Sequence, residues 1–190
     1  MPHPLVLVAD DDPAFREALP ETLRYRLPGI AVETCPSTEI AVSYMELTEY
    51  DAVITDVQMP GDGLSLLSTV RRKWPQTPVL VLTAYGNDAV MRAATELGAF
   101  ALLDKPIERE QLTAVVASAI EVHRLQRECG KLERELSLLA AMGGRALSMR
   151  AALHHDVLVL ARQDLERRLD ETRMKLQQVK SAMGQLPQVA

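Results

Sequence analysis

An α/β fold built on a parallel sheet is the architecture this chain predicts, and three observations carry the prediction. Four short apolar runs, Leu5-Val6-Leu7-Val8, Ala52-Val53-Ile54, Val79-Leu80-Val81-Leu82 and Ala101-Leu102-Leu103, lack the alternation of a half-wet strand. Helix caps and turn residues separate them, so strand and helix signals alternate. A reactive group follows each run: Asp10-Asp11, Asp56, Thr83 and Lys105-Pro106. In a parallel sheet covered on both faces, the carboxyl ends of the strands gather along one edge, where ligands bind. Three carboxylates, a hydroxyl and an ammonium would converge there. Carboxylate oxygens suit a hard cation such as Mg2+. The lysine and hydroxyl suit a phosphoryl group attached to a carboxylate, and such carboxylates act as nucleophiles toward phosphorus.

Each element has a local reason. After strand one, Asp12 is an N-cap and Pro13 the first helical residue. Helix one runs toward Tyr25, and Pro20 inside it predicts a kink or a split. Leu27-Pro28-Gly29 is a turn, Ala31–Cys35 is strand two, and Ser37 or Thr38 caps helix two. Asp51–Thr55 is strand three, and Gly63–Lys73 is helix three, ended by Trp74-Pro75. Asn87 or Asp88 opens helix four, and Gly98 closes it. Lys105-Pro106 follows strand five as a cis-prone bond.

Composition changes near residue 107. Residues 1–107 hold 8 basic and 15 acidic side chains, a net of −7, whereas residues 108–190 hold 13 and 11, a net of +2. All seven aromatic residues lie at or before Phe100, and Pro187 is the only proline after residue 107. Such a stretch, rich in Leu, Arg, Glu and Ala, reads as long helices rather than a second globular domain. Its positive charge is small and spread out, a weak reason to expect DNA contact. No apolar stretch is long enough for a membrane span, and the N-terminus shows no signal-peptide pattern, so a cytoplasmic location is expected. Cys35 and Cys129 make neither a disulfide framework nor a metal site and are expected as reduced thiols.

Helix five begins near Glu108 and meets no stop signal until Gly143-Gly144. Its first turns, with Leu112, Val115, Val116 and Ala119, are placed to pack on the sheet. Beyond them Val122, Leu125, Cys129, Leu132, Leu136 and Leu139 follow a 3-4 spacing, with leucine at each d position. The spacing predicts a helix to about 142, a turn at 143–144 and a second helix over about 145–183. In that second helix Leu165, Leu169, Thr172, Leu176, Val179 and Met183 repeat the 4-3 pattern. Each stripe reads as too narrow to be hidden by one neighbour, which predicts a homodimer through residues 122–183, paired as a four-helix bundle.

The segments LVLVADDDPAFR, YDAVITDVQMPGDGLSLL, PVLVLTAYG and LGAFALLDKPI, in this order, resemble a bacterial response-regulator receiver domain over residues about 4–121. The resemblance implies a flavodoxin-like, doubly wound five-stranded sheet of order 2-1-3-4-5, with residues 122–190 as a helical extension. It implies that Asp56 accepts a phosphoryl group from phosphohistidine on a partner sensor histidine kinase. Asp11 matches a direct Mg2+ ligand and Asp10 a ligand acting through water, with Asp56 and the backbone carbonyl of Gln58 completing the set. Thr83 would hydrogen-bond a phosphoryl oxygen, and Lys105 would pair with it. The peptide before Pro106 is expected to be cis.

Three positions depart from the family's pattern. The aromatic switch residue three positions before the lysine is Leu102 here, with Phe100 two residues earlier. The loop MPGDG is one residue shorter than the common form. Asp12 follows the acidic pair and reads as a helix cap. The region from Thr83 to Glu108 looks most like receivers that regulate ATPases, yet no G-x-x-x-x-G-K-[ST] loop occurs. The expected output is therefore protein contact by the helical extension with a downstream protein. His154-His155 raises the alternative of a phosphorelay step, and an unrecognised DNA-contacting helix a second; autonomous kinase activity is not expected.

Overall fold

A computed structural model of the chain describes residues 3–84, 88–143 and 151–183. Five strands, β1 (Leu5–Ala9), β2 (Ala31–Cys35), β3 (Ala52–Asp56), β4 (Val79–Ala84) and β5 (Ala101–Lys105), form one sheet of order β2-β1-β3-β4-β5. Every pairing is parallel. The apolar runs sit where such a sheet needs them: Val6, Leu7, Val8, Val53, Ile54, Leu80 and Val81 are all buried. The expected fold class and order are thus observed.

The helices between the strands follow their caps. In α1 (Pro13–Arg26) the Asp12 side chain accepts the Ala14 N–H. In α2 (Thr38–Leu47) the Ser37 hydroxyl accepts the Ile40 N–H. In α3 (Gly63–Lys73) Asp62 caps through the Leu64 N–H. The next helix, α4, spans Asp88–Glu96, and Gly98 beyond it takes φ +81°. Proline at position 20 does not split α1, which runs unbroken through that buried residue. Pro20 lacks the N–H that would bond Arg16, so one helical bond is lost without ending the helix.

Helix α5 runs from Arg109 to Gly143 and α6 from Ala151 to Met183. The expected turn therefore falls at the last residue of α5 and at Gly144, and Gly144 and residues 145–150 lie outside the described residues. The side chains of His154 and His155 lie outside them too. The chain divides into two compact units, one ending at His123 and one beginning at Arg124.

Within the first unit, Leu112, Val115, Val116, Ala119 and Val122 of α5 are buried, as their spacing implies. His123 is also buried, with Nδ1 3.2 Å from Asp51 Oδ1, while the other Asp51 oxygen accepts the Leu5 N–H at 2.8 Å. In the second unit Cys129 and Leu132 of α5 share a core with Leu165 and Leu169 of α6, with Leu136 and Leu139 packed beside it. Arg173 bridges to Glu133 at 2.9 Å. The middle of the two stripes is therefore covered within one chain, while Leu136, Leu139, Leu176, Val179 and Met183 remain partly exposed. Both cysteines are free and buried, and burial pushes the Cys35 thiol up to about 11.

Candidate functional site

The carboxyl ends of β1, β3 and β5 bring four of the expected residues together. Asp10, Asp11 and Asp56 each offer a carboxylate oxygen within 4.8 Å of the others. Asp10 is fully buried, Asp56 nearly so, and Asp11 is exposed. Lys105 crosses to them from the far edge of the sheet. Its Nζ lies 2.9 Å from Asp10 Oδ2 and 3.1 Å from Asp56 Oδ1. The peptide from Lys105 to Pro106 is cis, as expected.

Asp10 is held from several directions. Its Oδ1 accepts the Asp12 N–H at 2.8 Å, and its backbone carbonyl accepts from Arg16 at 2.7 Å. Its own N–H donates to the Cys35 carbonyl at the end of β2. A buried carboxylate needs such partners, because an unpaired charge away from water is costly. Asp12 is itself spent as a helix cap, which is the role its place after the acidic pair suggested.

Charge is tightly contested here. Burial pushes the Asp56 carboxyl above the usual carboxylate range; the Lys105 ammonium pulls it back, and Asp10 and Asp11 push it up again. Burial pulls the Lys105 ammonium down, yet its bonds to Asp10 and Asp56 outweigh that and leave it raised. Lys105 is thus a fixed positive charge among acids. Its Nζ also sits over the Phe15 ring, 4.9 Å from the ring centre.

Thr83 is buried near the end of β4, one residue past Leu82, the register partner of Asp56. Gln58 is exposed in the loop after β3. That loop is shaped by backbone: Asp62 takes φ +61° and Gly61 φ +86°. Gly63 packs so closely that a Cβ there would lie 2.0 Å from the Asp56 carbonyl oxygen. The shortened MPGDG loop also docks on α2, where Thr38 donates its N–H to Pro60 and its hydroxyl to the Asp62 carbonyl. Leu102 is partly buried and packs on the core between sheet and helices. Sequence reasoning placed Thr38 as a possible cap and Gly63 at the start of helix three, but missed their contacts with the loop after β3 and missed Phe15 beside Lys105, for which no local signal exists.

The comparisons agree with this geometry. The family described as the response regulator receiver domain matches residues 6–117. The chain is 44% identical over 115 residues to response regulator protein FleR of Pseudomonas aeruginosa, covering 59% of this chain and 24% of that one. It is 32% identical over 169 residues to the C4-dicarboxylate transport transcriptional regulatory protein DctD of the same organism, covering 82% and 36%. It thus spans about a quarter to a third of the length of these curated relatives. Among solved structures, a putative response regulator from Chloroflexus aurantiacus J-10-fl is 35% identical with a TM-score of 0.58, covering 63% of this chain and 98% of that one. A signal receiver domain from Pseudomonas fluorescens Pf-5, 22% identical with a TM-score of 0.63 and covering 67% and 94%, shares the fold. The sheet order, the acidic edge and the matched segment converge: this chain belongs to the response regulator receiver domain family of two-component systems.

Proposed function

We propose that Asp56 accepts a phosphoryl group from the phosphohistidine of a sensor histidine kinase, and that the chain signals through its helical part. The single observation behind this reading is the group of three carboxylates within 4.8 Å of one another, with one ammonium bridging two of them at the strand ends. Asp56 is the member at the end of the central strand, β3. Its raised carboxyl must ionise to attack, and Lys105 favours that ionised form.

The donor set fits a hard divalent cation: carboxylate oxygens, close together, one of them exposed. Asp10, Asp11, Asp56 and the Gln58 carbonyl would hold Mg2+. Both Asp10 oxygens already accept a protein donor, which suits contact through water, whereas Asp11 is exposed and suits direct contact. Bound Mg2+ would neutralise charge as two anionic partners meet. Lys105 would then pair with the transferred group, and the Thr83 hydroxyl would donate to one of its oxygens.

In the division of labour proposed here, residues 1–121 receive and residues 122–190 transmit. The hairpin covers the middle of its seam, and outside that seam Leu138, Leu160 and Met174 are 65%, 66% and 64% exposed. We read these as the support for a homodimer or for a downstream protein. Among the described residues no helix is long and apolar enough to cross a membrane, in line with a cytoplasmic site of action.

A second reading has its own observation. The alignment with DctD is longer than residues 6–117 and so runs into the helical part. Relatives named as transcriptional regulators leave the expectation against DNA contact without support. Salt-dependent binding of the full chain to duplex DNA would favour this reading.

The test of the main reading is labelling with a small phosphodonor and Mg2+. One phosphoryl group is expected per chain, none on Asp56→Asn, and almost none after chelation. Undiminished labelling of the Asn variant places the acceptor elsewhere.

A further inference from the structure

The first turn of α1 lies beside the acidic edge. Asp12 caps the helix and Pro13 opens it, so Phe15 is the third helical residue, four positions after Asp11. Lys105 comes from the end of β5, with β3 and β4 lying between it and β1 in the sheet. Its stem spans that gap, and its Nζ meets Asp10 Oδ2 at 2.9 Å and Asp56 Oδ1 at 3.1 Å. The same Nζ sits over the Phe15 ring, 4.9 Å from its centre and within the range of cation–π attraction.

An ammonium has three N–H donors and no acceptor. Two directions are taken by carboxylates. On the remaining side the half-buried ring offers an electron-rich face with no oxygen to draw the ammonium off. This matters because lysine is a point charge on a flexible four-carbon stem. A leucine at position 15 would fill much of the same volume without the electron-rich face.

We propose that Phe15 is a positioning residue for phosphoryl transfer, holding the Lys105 ammonium between Asp10 and Asp56. The inference rests on the reading of Asp56 as the acceptor. Phe15 makes no bond in the step. An Asp56 oxygen forms the new O–P bond, the bond from phosphorus to the leaving group breaks, and the leaving group departs with the electron pair. With acetyl phosphate the group that leaves is acetate. Charge on the transferred phosphoryl oxygens then meets a cation already aimed, so less motion has to be frozen during the step.

The experiment uses the full 190-residue chain with acetyl phosphate and Mg2+. The rate of phosphorylation is followed for the unaltered chain, Phe15→Leu, Phe15→Tyr, Lys105→Met and the double variant Phe15→Leu/Lys105→Met. Phe15→Leu should slow the step by roughly 3- to 10-fold, and Phe15→Tyr should restore it. In the Lys105→Met background Phe15→Leu should change nothing further, because the ring acts through the ammonium. The Cε protons of Lys105 should also show an upfield ring-current shift by NMR in the unphosphorylated chain, lost in Phe15→Leu. Should Phe15→Leu fail to fold, Phe15→Met takes its place in both measurements. An unaltered rate in the Leu variant, an equal loss in the Lys105→Met background, or no ring-current shift each overturns the inference. Labelling of Asp56→Asn at the unaltered rate instead removes the acceptor reading, and the inference falls with it; the ring-current shift then reports on the contact alone.

Discussion

Asp56 carries an electrostatic burden in the metal-free chain. Burial raises its carboxyl despite the Lys105 ammonium beside it. A carboxyl raised by folding binds its proton more tightly in the folded state than in the unfolded chain. Between the ordinary carboxylate value and the raised one, the folded state holds more protons, so stability falls as pH rises through that window. Above it the cost is fully present. In chelator at pH 7, Asp56→Asn should therefore melt higher than the unaltered chain, and the gain should shrink as pH falls through the window. A lower melting temperature for the Asn variant at pH 7 would contradict this. Gly63 gives a second prediction. A Cβ there would meet backbone, the Asp56 carbonyl, and backbone cannot swing away as a flexible side chain can. Gly63→Ala should cost about 1–3 kcal/mol by chemical denaturation and should slow phosphorylation as the loop shifts. At this scale much was legible. Asp12 announced itself as a cap because proline follows it, and Asp10, Asp11, Asp56 and Lys105 followed from ending apolar runs. Asp62 was not legible as a cap: the five-residue loop puts it at positive φ, a conformation that no local signal specified.

The elements were legible where periodicity and caps agreed, as in α1, α2 and the inner face of α5. They were less so where tertiary packing decided. Pro20 argued for a kink or a split, yet α1 runs unsplit through it, with Leu19 and Leu23 buried on either side. His123 was one more residue beside a heptad position until Asp51 proved to be its partner. The seam leucines were read as exposed in a monomer, yet Leu132 is buried against Leu165 and Leu169 of the chain's own second helix, with Leu136 and Leu139 partly buried beside them. Leu132→Ala should accordingly cost about 2–5 kcal/mol even at concentrations where the chain is monomeric. A cost that appears only on association would mean that a second chain covers the seam. Leu102 bears on signalling between elements. Without an aromatic side chain there, we expect phosphorylation to reach α4 and the root of α5 through the loop after Thr83, which includes Tyr85, a residue outside those described. Leu102→Tyr should redistribute the hydrogen-exchange changes that phosphorylation causes in α4 and α5. An unaltered exchange pattern would show that the position does not limit the response.

At the scale of the whole molecule, sequence alone conveyed the two-part design: aromatic, acidic and strand-rich first, helical and aromatic-free afterwards. It could not convey the division of buried surface within the helical part. Because the hairpin covers the middle of its own seam, a dimer would have to draw on the partly exposed seam residues and on outward residues such as Leu138 and Leu160. Burying each is worth roughly 1.5–3 kcal/mol, against an association cost of about 4–15 kcal/mol. Light scattering should show the full chain dimeric and residues 1–121 monomeric. A full chain that stays monomeric before and after phosphorylation would leave the outward residues to a different partner. The central claim is chemical, and it has a direct measurement. An aspartyl phosphate is an acyl phosphate, and borohydride reduces it to homoserine. The full chain treated with phosphodonor and Mg2+, reduced, digested and sequenced by mass spectrometry should carry homoserine at position 56 and at no other aspartate. Homoserine at Asp10 or Asp11, or none anywhere despite bound Mg2+, would contradict the account.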